Sequence, residues 1–496
     1  RDCLLSRGLG DVYKRQNVLI ASPCLSTFND IKMNFLLQLV SLALIASCGL
    51  SAKPIDSFYP NLSNPSSIVN PKYDPLMKGG KRETRNGTSD GSYSYCSMPH
   101  PNVAFYEEPT PIKNGSIHAN LTKLLYIQRH QKRTMYHVFP NGEKEIYFCN
   151  DIRPHVYVAP SADGEIQPMP VFAQTYVDFL NPLYRTFTNS TCQFPQITLG
   201  GFLDGVQHGK ELRELYGDKY HVIPDQPDPH RVWMRSSTAA LTQDSASGVL
   251  RGIWPDVQGP LPLFQQADQV DTHEPSCDRA DSLLSAAKKT DAWKKHLSVT
   301  KHLRKELEAI LQTNVSDWQS DWDHYNDNFQ ARLCNGYQLP CSNDDPTKCV
   351  TKDQARKVFA AGDWEYNYYW VARDNVTEAI RLTSGLYIKD LIEQLKEMNS
   401  GNSDLQYVHH FMHDGDIGPL AGSLGIKSLR WPGMASNIAI ELWTANDGKN
   451  YVRALYSGHT IHSRHGNMEW MPFDDFISYW SKFVPANFVS QCKKSL

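Results

Sequence analysis

Three short apolar segments, residues 124–127, 231–234 and 407–412, constrain this chain most, because each runs straight into charged side chains. Leu124, Leu125, Tyr126 and Ile127 form a continuous apolar run without alternation. That pattern marks a strand buried on both faces, as in a parallel sheet covered by helices. The first segment leads into Arg129-His130-Gln131-Lys132-Arg133, the second ends in Met234-Arg235-Ser236-Ser237, and the third reaches His413-Asp414. Open α/β sheets bind ligands at the carboxyl ends of their strands. Arg129, Arg133, Arg235 and His413 would there make a cationic cluster suited to a strongly negative ligand, since the guanidinium fork matches phosphate oxygens. Asp414 is the carboxylate placed to move a proton. Taken alone, residues 129–133 read equally as a solvated basic loop. The repetition at three strand ends is what argues for a site.

Between these strands, Thr198 begins a helical pattern with Phe202, Leu203, Val206, Leu212 and Leu215 on one face. A small-residue helix is expected over 236–248. Residues 280–400 change character, with amphipathic spacings such as Trp293, Leu297, Leu303, Leu307 and Leu311. They read as a helical subdomain inserted into an α/β core. Strand patterns return at 407–412, 438–443 and 451–456, so the core is discontinuous along the chain.

The net charge of −3, from 50 Lys+Arg and 53 Asp+Glu, offers no excess for nucleic acid. A composition of 41% hydrophobic and 21% charged residues is that of a globular chain. No Met precedes Met33, and residues 1–32 read as leader or non-native sequence. From Met33 a short apolar run ends in small residues, which predicts a signal peptide over 33–52 rather than a membrane span. A bacterial lipoprotein signal ending at Cys48 is the runner-up. Beyond residue 52, eight of the 11 cysteines remain, enough for four disulfides in one of 105 connectivities. Cys334, Cys341 and Cys349 are close enough to staple one local loop. No C-x-x-C pair occurs, which argues against a zinc or redox motif. Sequons at Asn61, Asn86, Asn114, Asn120, Asn189, Asn314 and Asn375 fit a secreted eukaryotic glycoprotein. Residues 53–115, rich in Pro, Ser, Asn, Gly and Tyr, read as an irregular extension tethered through Cys96, and 116–496 as the main domain.

The motifs together resemble the histidine acid phosphatase family, in the branch with a large helical insertion. Its R-H-G-x-R-x-P motif matches Arg129, His130 and Arg133. Its middle stretch matches Gln196, Thr198, Gly201, Gly209, Leu212, Arg213 and Tyr216. The R-S-T…S-A segment matches Arg235-Ser236-Ser237 and Ser245-Ala246. The closing H-D matches His413-Asp414, followed by Ala435-Ser436 and Glu441-Leu442. The resemblance covers about 120–460. It implies a three-layer α/β fold of the phosphoglycerate mutase type, with a mostly parallel central sheet and a helical cap. It also implies phosphoryl transfer through a covalent phosphohistidine on His130, with Arg129, Arg133, Arg235 and His413 holding the phosphoryl oxygens. Asp414 would protonate the leaving alcohol and later activate water. No metal or other cofactor is implied, and an acidic optimum is expected. The partner is a phosphomonoester substrate in a secreted or acidic endomembrane setting, with no transmembrane anchor.

Two departures stand out: Gln131 replaces the motif's Gly and Met135 its Pro. Gln131 would add strain or bulk if that Gly has φ > 0, or would donate a hydrogen bond to substrate. His413-Asp414, where inositol polyphosphatases of the family often carry H-A-E, weakens that reading without excluding a phytase. The stretch from Pro432 to Leu442 also resembles phosphatases acting on phosphorylated sugars of glycoproteins. A secreted binding or signalling protein on a phosphatase scaffold is the alternative from another class. His409, His410, His413, Asp414 and Asp416 invite a metal reading, but adjacent strand residues point to opposite faces, and Asp414-Gly415-Asp416 lacks the rest of a calcium loop. The basic run at 288–305 reads as a solvated helix face. Residues 317–327, with Trp318, Trp322 and Tyr325, read as helix packing with an acidic exterior, or as a cap edge over the site.

Overall fold

The computed structural model describes residues 57–75, 91–152, 190–258 and 261–493, together with 155–156, 171–172 and 180. The expected leader and signal segments and the sequons at Asn86 and Asn189 lie outside the described residues. Asn61, Asn114, Asn120, Asn314 and Asn375 are all exposed.

The core is a seven-stranded sheet. We label its strands β1 (Ala119–Arg129), β2 (Val232–Ser236), β3 (Tyr407–Met412), β4 (Asn437–Ala445), β5 (Asn450–Tyr456), β6 (His459–Thr460) and β7 (Met471–Pro472). Their order is β2-β3-β1-β4-β5-β6, with β7 also on β5. β2, β3 and β1 are parallel, with Arg235 opposite His410 and Arg129 opposite Met412. Their carboxyl ends therefore meet at one edge. Beyond β1 the sheet continues antiparallel, through the tight connection at Asp447-Gly448 between β4 and β5.

Helices cover both faces, which explains the unbroken apolar runs. Leu124, Tyr126, Tyr407 and Phe411 pack towards α1 (Leu199–Leu212) and α2 (Ala240–Ile253). Leu125, Ile127, Val408 and Met412 pack on the opposite face, against α7 (Val376–Asn399) and α8 (Asp414–Ser423). Between α2 and α7 lie α3 (Asp278–Ala287), α4 (Asp291–Leu311), α5 (Asp323–Cys334) and α6 (Lys352–Asn367). A separate apolar core joins α4, α5 and α6 around Trp293, Trp322, Tyr325 and Phe359. Thus α7, although continuous with the helical stretch, belongs to the sheet's own layer. Two short helices, α9 (Phe473–Trp480) and α10 (Phe488–Cys492), close the chain. No helix among the described residues is long and apolar enough to cross a membrane.

Two local readings change. The buried side of α1 is not the Phe202–Leu203–Val206 face: Leu203 is exposed, whereas Gly201, Gly205 and Gly209 are buried. A Cβ on Gly209 would lie 2.0 Å from the Val249 carbonyl oxygen, and one on Gly252 would lie 2.1 Å from that of Val206. Glycines at four-residue spacing thus bring the α1 and α2 backbones together, closer than side chains allow. The helix expected over 236–248 begins at Ala240 and runs to Ile253, since Ser236 still belongs to β2.

The described part of the extension is built into the fold: Phe58, Tyr93, Tyr95 and Met98 join the sheet's core, and Leu62 and Ile68 join that of α4–α6. Four disulfides pair Cys96–Cys334, Cys149–Cys192, Cys277–Cys492 and Cys341–Cys349. Only Cys341–Cys349 is the local staple. Cys334 instead ties α5 to the extension.

Candidate active site

The site lies where β1 and β3 end. His130 follows β1, donates its backbone N–H to Met412 O of β3 (2.9 Å), and accepts at its own carbonyl from Ala435 N (3.0 Å). Arg129 N donates to Ser436 O at 2.8 Å, and the Arg129 guanidinium donates to Pro432 O. The segment leading into β4 therefore wraps the backbone of the Arg-His pair. It does so with Ala435 at φ 64°, a left-handed conformation costly for a residue with a Cβ.

His130 is 1% exposed. Its Nδ1–H donates to the carbonyl of Gln131 at 2.9 Å, which leaves Nε2 as the nitrogen carrying the lone pair. Burial first, then the charges of Arg129 and Arg133 and the His413 ring, hold its pKa well below the usual imidazole value. These surroundings disfavour the imidazolium and keep the ring's free lone pair available. His413 approaches edge-on, 5.6 Å between ring centroids, and its Nε2 shares a 2.9 Å hydrogen bond with Ser237 Oγ. Asp416 Oδ2 accepts the His413 backbone N–H at 3.0 Å, fixing the entry to α8.

Asp414 is 21% exposed, against 1% for Arg129 beside it, so it stands at the mouth of the site. Its Oδ2 accepts from Trp431 Nε1 at 2.6 Å and lies 3.3 Å from Arg129 NH2. The buried Tyr366 hydroxyl stands near this carboxylate, whose charge, after burial, holds the phenol pKa well above its usual value. Burial pushes the Asp414 pKa up, but Arg129, the Trp431 hydrogen bond, Arg133 and His413 outweigh it, and the net shift is downward.

Arg133 pairs with Asp327 of α5, NH1 to Oδ1 at 2.8 Å. The other Asp327 oxygen accepts the backbone N–H groups of Tyr136 (2.7 Å) and His137 (2.9 Å). The acidic edge of α5 thus contacts the loop that follows the nucleophile.

Arg235 is ion-paired beside the helix α7. It lies opposite His410, and the pleat sends both side chains to the α7 face. There Arg235 donates to Asp390 and Asp271, each at 2.5 Å, and is 1% exposed. Two carboxylates, Asp271 and Asp390, occupy its guanidinium in this structure, and Asp271 in turn meets His273, whose ring lies 6.3 Å from that of His413.

Gln131 has no positive φ, so no backbone strain arises there. Its Cγ lies 3.5 Å from where a Gly205 Cβ would stand, and its amide N–H donates to Ser245 Oγ at 2.8 Å. Its Nε2 is buried without a hydrogen-bond partner. Met135 is fully buried, with Asn328 Nδ2 3.2 Å from its sulfur. The paired histidines of β3 diverge as the pleat requires: His409 meets Gln128 (3.1 Å), while His410 meets Tyr387 and Gln394 (2.9 Å each). Asp271, Asp390, Trp431 and Tyr366 were not legible as site residues, since nothing in the sequence near them marks the strand ends they face, whereas Asp327 closes the acidic stretch that reads alternatively as a cap edge.

A match to the histidine phosphatase superfamily (branch 2) spans residues 121–457, more than half of the chain. The chain belongs to this superfamily. Among curated relatives, Counting factor 60 of Dictyostelium discoideum is 22% identical over 81% of this chain and 93% of its own length. Human 2-phosphoxylose phosphatase 1 is 19% identical over 83% of this chain and 81% of its own. Among solved structures, the phytase from Citrobacter braakii covers 75% of this chain and 99% of its own, at 10% identity and a TM-score of 0.49.

Proposed function

We propose that this branch 2 histidine phosphatase is a secreted or lumenal acid phosphatase that hydrolyses phosphomonoesters through a phosphohistidine. The observation that carries this reading is His130, whose Nδ1 is tied to a carbonyl and whose Nε2 stays neutral among cations. Nε2 attacks phosphorus while Arg129, Arg133 and His413 hold the phosphoryl oxygens, and the P–O bond to the alcohol breaks. Asp414 gives its proton to the departing oxygen. It then takes one from water as that water attacks phosphorus and the P–N bond breaks, releasing phosphate.

Asp414 is ionised in the free site, so the acid role needs a further step. A bound phosphoryl dianion offsets the cationic charges that depress the carboxyl, and brings negative charge beside it. Both effects raise its pKa, most usefully in acidic medium. The four disulfides and the exposed sequons support passage through an oxidising compartment.

A second reading, a binding or signalling protein on this scaffold, is favoured by the charge balance. Arg133 already faces Asp327, Arg235 is taken by Asp271 and Asp390, and Arg129 faces Asp414. Release of phosphate from a small aryl phosphate near pH 5 separates the two. Hydrolysis lost in His130→Ala, with a phosphoryl adduct trapped on His130 by rapid acid quench and peptide mass spectrometry, supports the enzyme. Wild-type turnover no faster than His130→Ala overturns it.

A further inference from the structure

The loop leaving His130 brings a second histidine, His137, against the first turn of α5. There one donor atom each from His137, Asp323 and His324 lies within 4.8 Å of the others. The two imidazoles are face to face, 3.6 Å between centroids and 11° from parallel. His324 Nδ1 is 3.3 Å from Asp323 Oδ2, and Trp318 packs edge-on to the His324 ring. His137 Nδ1 is buried and makes no hydrogen bond, lying 3.8 Å from Asp327 Oδ2. All three residues are half-buried, so the cluster is sheltered yet reachable by solvent.

Two imidazoles and one carboxylate converging within reach of solvent are a three-ligand set for Zn2+, which then keeps water in the fourth position. Bonds of roughly 2.0–2.2 Å imply donor separations near ~3.4 Å, so the two rings rotate out of their stack on binding to aim both in-plane lone pairs at one ion. We propose that His137, Asp323 and His324 bind a divalent transition-metal ion, Zn2+ by ligand type. The ion clamps the post-nucleophile loop to α5. Asp327, one turn further along α5, holds Arg133 and the His137 amide, so the clamp acts on the same contact that orients the phosphate-binding arginine. The ion takes no part in phosphoryl transfer.

The test uses the full chain without a histidine tag, stripped with chelator and titrated with ZnCl2 by calorimetry, and with Co2+ by visible absorption. One ion per chain, a d–d spectrum of a four- or five-coordinate site and a Zn2+-dependent rise in melting temperature are expected. His137→Asn/His324→Asn should weaken binding at least tenfold, while His130→Ala retains it. Asp323→Asn provides a second variant that leaves both rings in place, with circular dichroism confirming that each protein is folded. Absence of binding to wild type at hundredfold excess overturns the proposal. So does binding unchanged in the folded variants, or lost in His130→Ala instead.

Discussion

Arg133 NH1 lies 2.8 Å from Asp327 Oδ1, so a cation of the nucleophile loop is paired across to the helical cap before any substrate arrives. Phosphate must share that guanidinium with a carboxylate. Asp327→Asn keeps an acceptor for the two backbone amides and removes the competing charge. Inorganic phosphate should then inhibit about tenfold more tightly, equivalent to about 1.4 kcal/mol. The melting temperature should fall, because breaking a buried pair costs about 3–5 kcal/mol. Inhibition constants and melting curves test both, and unchanged phosphate affinity would contradict the competition.

Arg235 predicts the opposite pattern. Arg235→Met leaves the buried Asp271 with His273 as its partner and frees the part-exposed Asp390, so it should destabilise the fold by up to about 3–5 kcal/mol. The Michaelis constant of the remaining folded protein should change little. Adding Asp271→Asn should restore part of the stability. A large rise in the Michaelis constant at normal stability would place Arg235 in the phosphate site.

The His130 pKa is held well below 6.5, by burial before all else. Ionisation of the nucleophile therefore leaves no inflection near pH 6.5 in kcat/KM, and the acid limb lies lower. A pH–rate profile with an acid limb centred at 6.5 would mean that the imidazole titrates as an ordinary histidine.

Stability should fall towards the acidic range proposed for activity. His130, His208, His409 and His410 are all kept neutral, chiefly by burial. The unfolded chain protonates each near pH 6.5 while the folded one does not, so their contribution is complete above that pH and lost below it. Each group costs up to about 1.4 kcal/mol per pH unit. Asp244 and Asp416, raised to about 6 by burial, oppose this between pH 6 and the usual carboxylate range. His296, His413, His459 and His465 add to the loss while His137, His273, Asp323 and Glu365 oppose it, and eight groups against six leave a net loss. Urea midpoints should be lower at pH 5 than at pH 7.5, and the reverse order would refute the balance.

The α1–α2 contact gives a steric prediction. Gly209→Ala places a methyl 2.0 Å from the Val249 carbonyl oxygen and forces the helices apart. It should cost at least the ~1–3 kcal/mol typical of overpacking. Gly415→Ala, at the exposed start of α8 with nothing within 4 Å, should stabilise by about 0.4–1 kcal/mol. Denaturation midpoints of the pair check the contrast.

The strands that build the site were legible because burial on both faces removes alternation, and their ends carry the charges. The fate of Arg235 was not, since it depends on which way the pleat turns at one position and on carboxylates at 271 and 390. The face of α1 was misread because apolar side chains signal burial more loudly than glycines. Yet Gly201, Gly205 and Gly209, with Gly248 and Gly252, carry a four-residue spacing that marks close backbone approach. The disulfide partners of Cys96 and Cys277 were unreadable, as spacing says nothing about contacts so far apart. The antiparallel half of the sheet had one available sign, the Asp447-Gly448 turn between two apolar segments.

The position of β1 at the centre of the sheet has a consequence for synthesis. Its two neighbours come late: Gln128 meets His409 from 281 residues away, and Thr122 meets Leu442 from 320. Such pairings are slow to form, and neither is possible until most of the chain has left the ribosome. Until then the His130 segment has no sheet to end, and its arginines have no partner strand to stand beside. A nascent or truncated chain lacking residues beyond 400 is therefore silent by topology, and the apolar face of β1 is the surface a folding helper must shield while it waits.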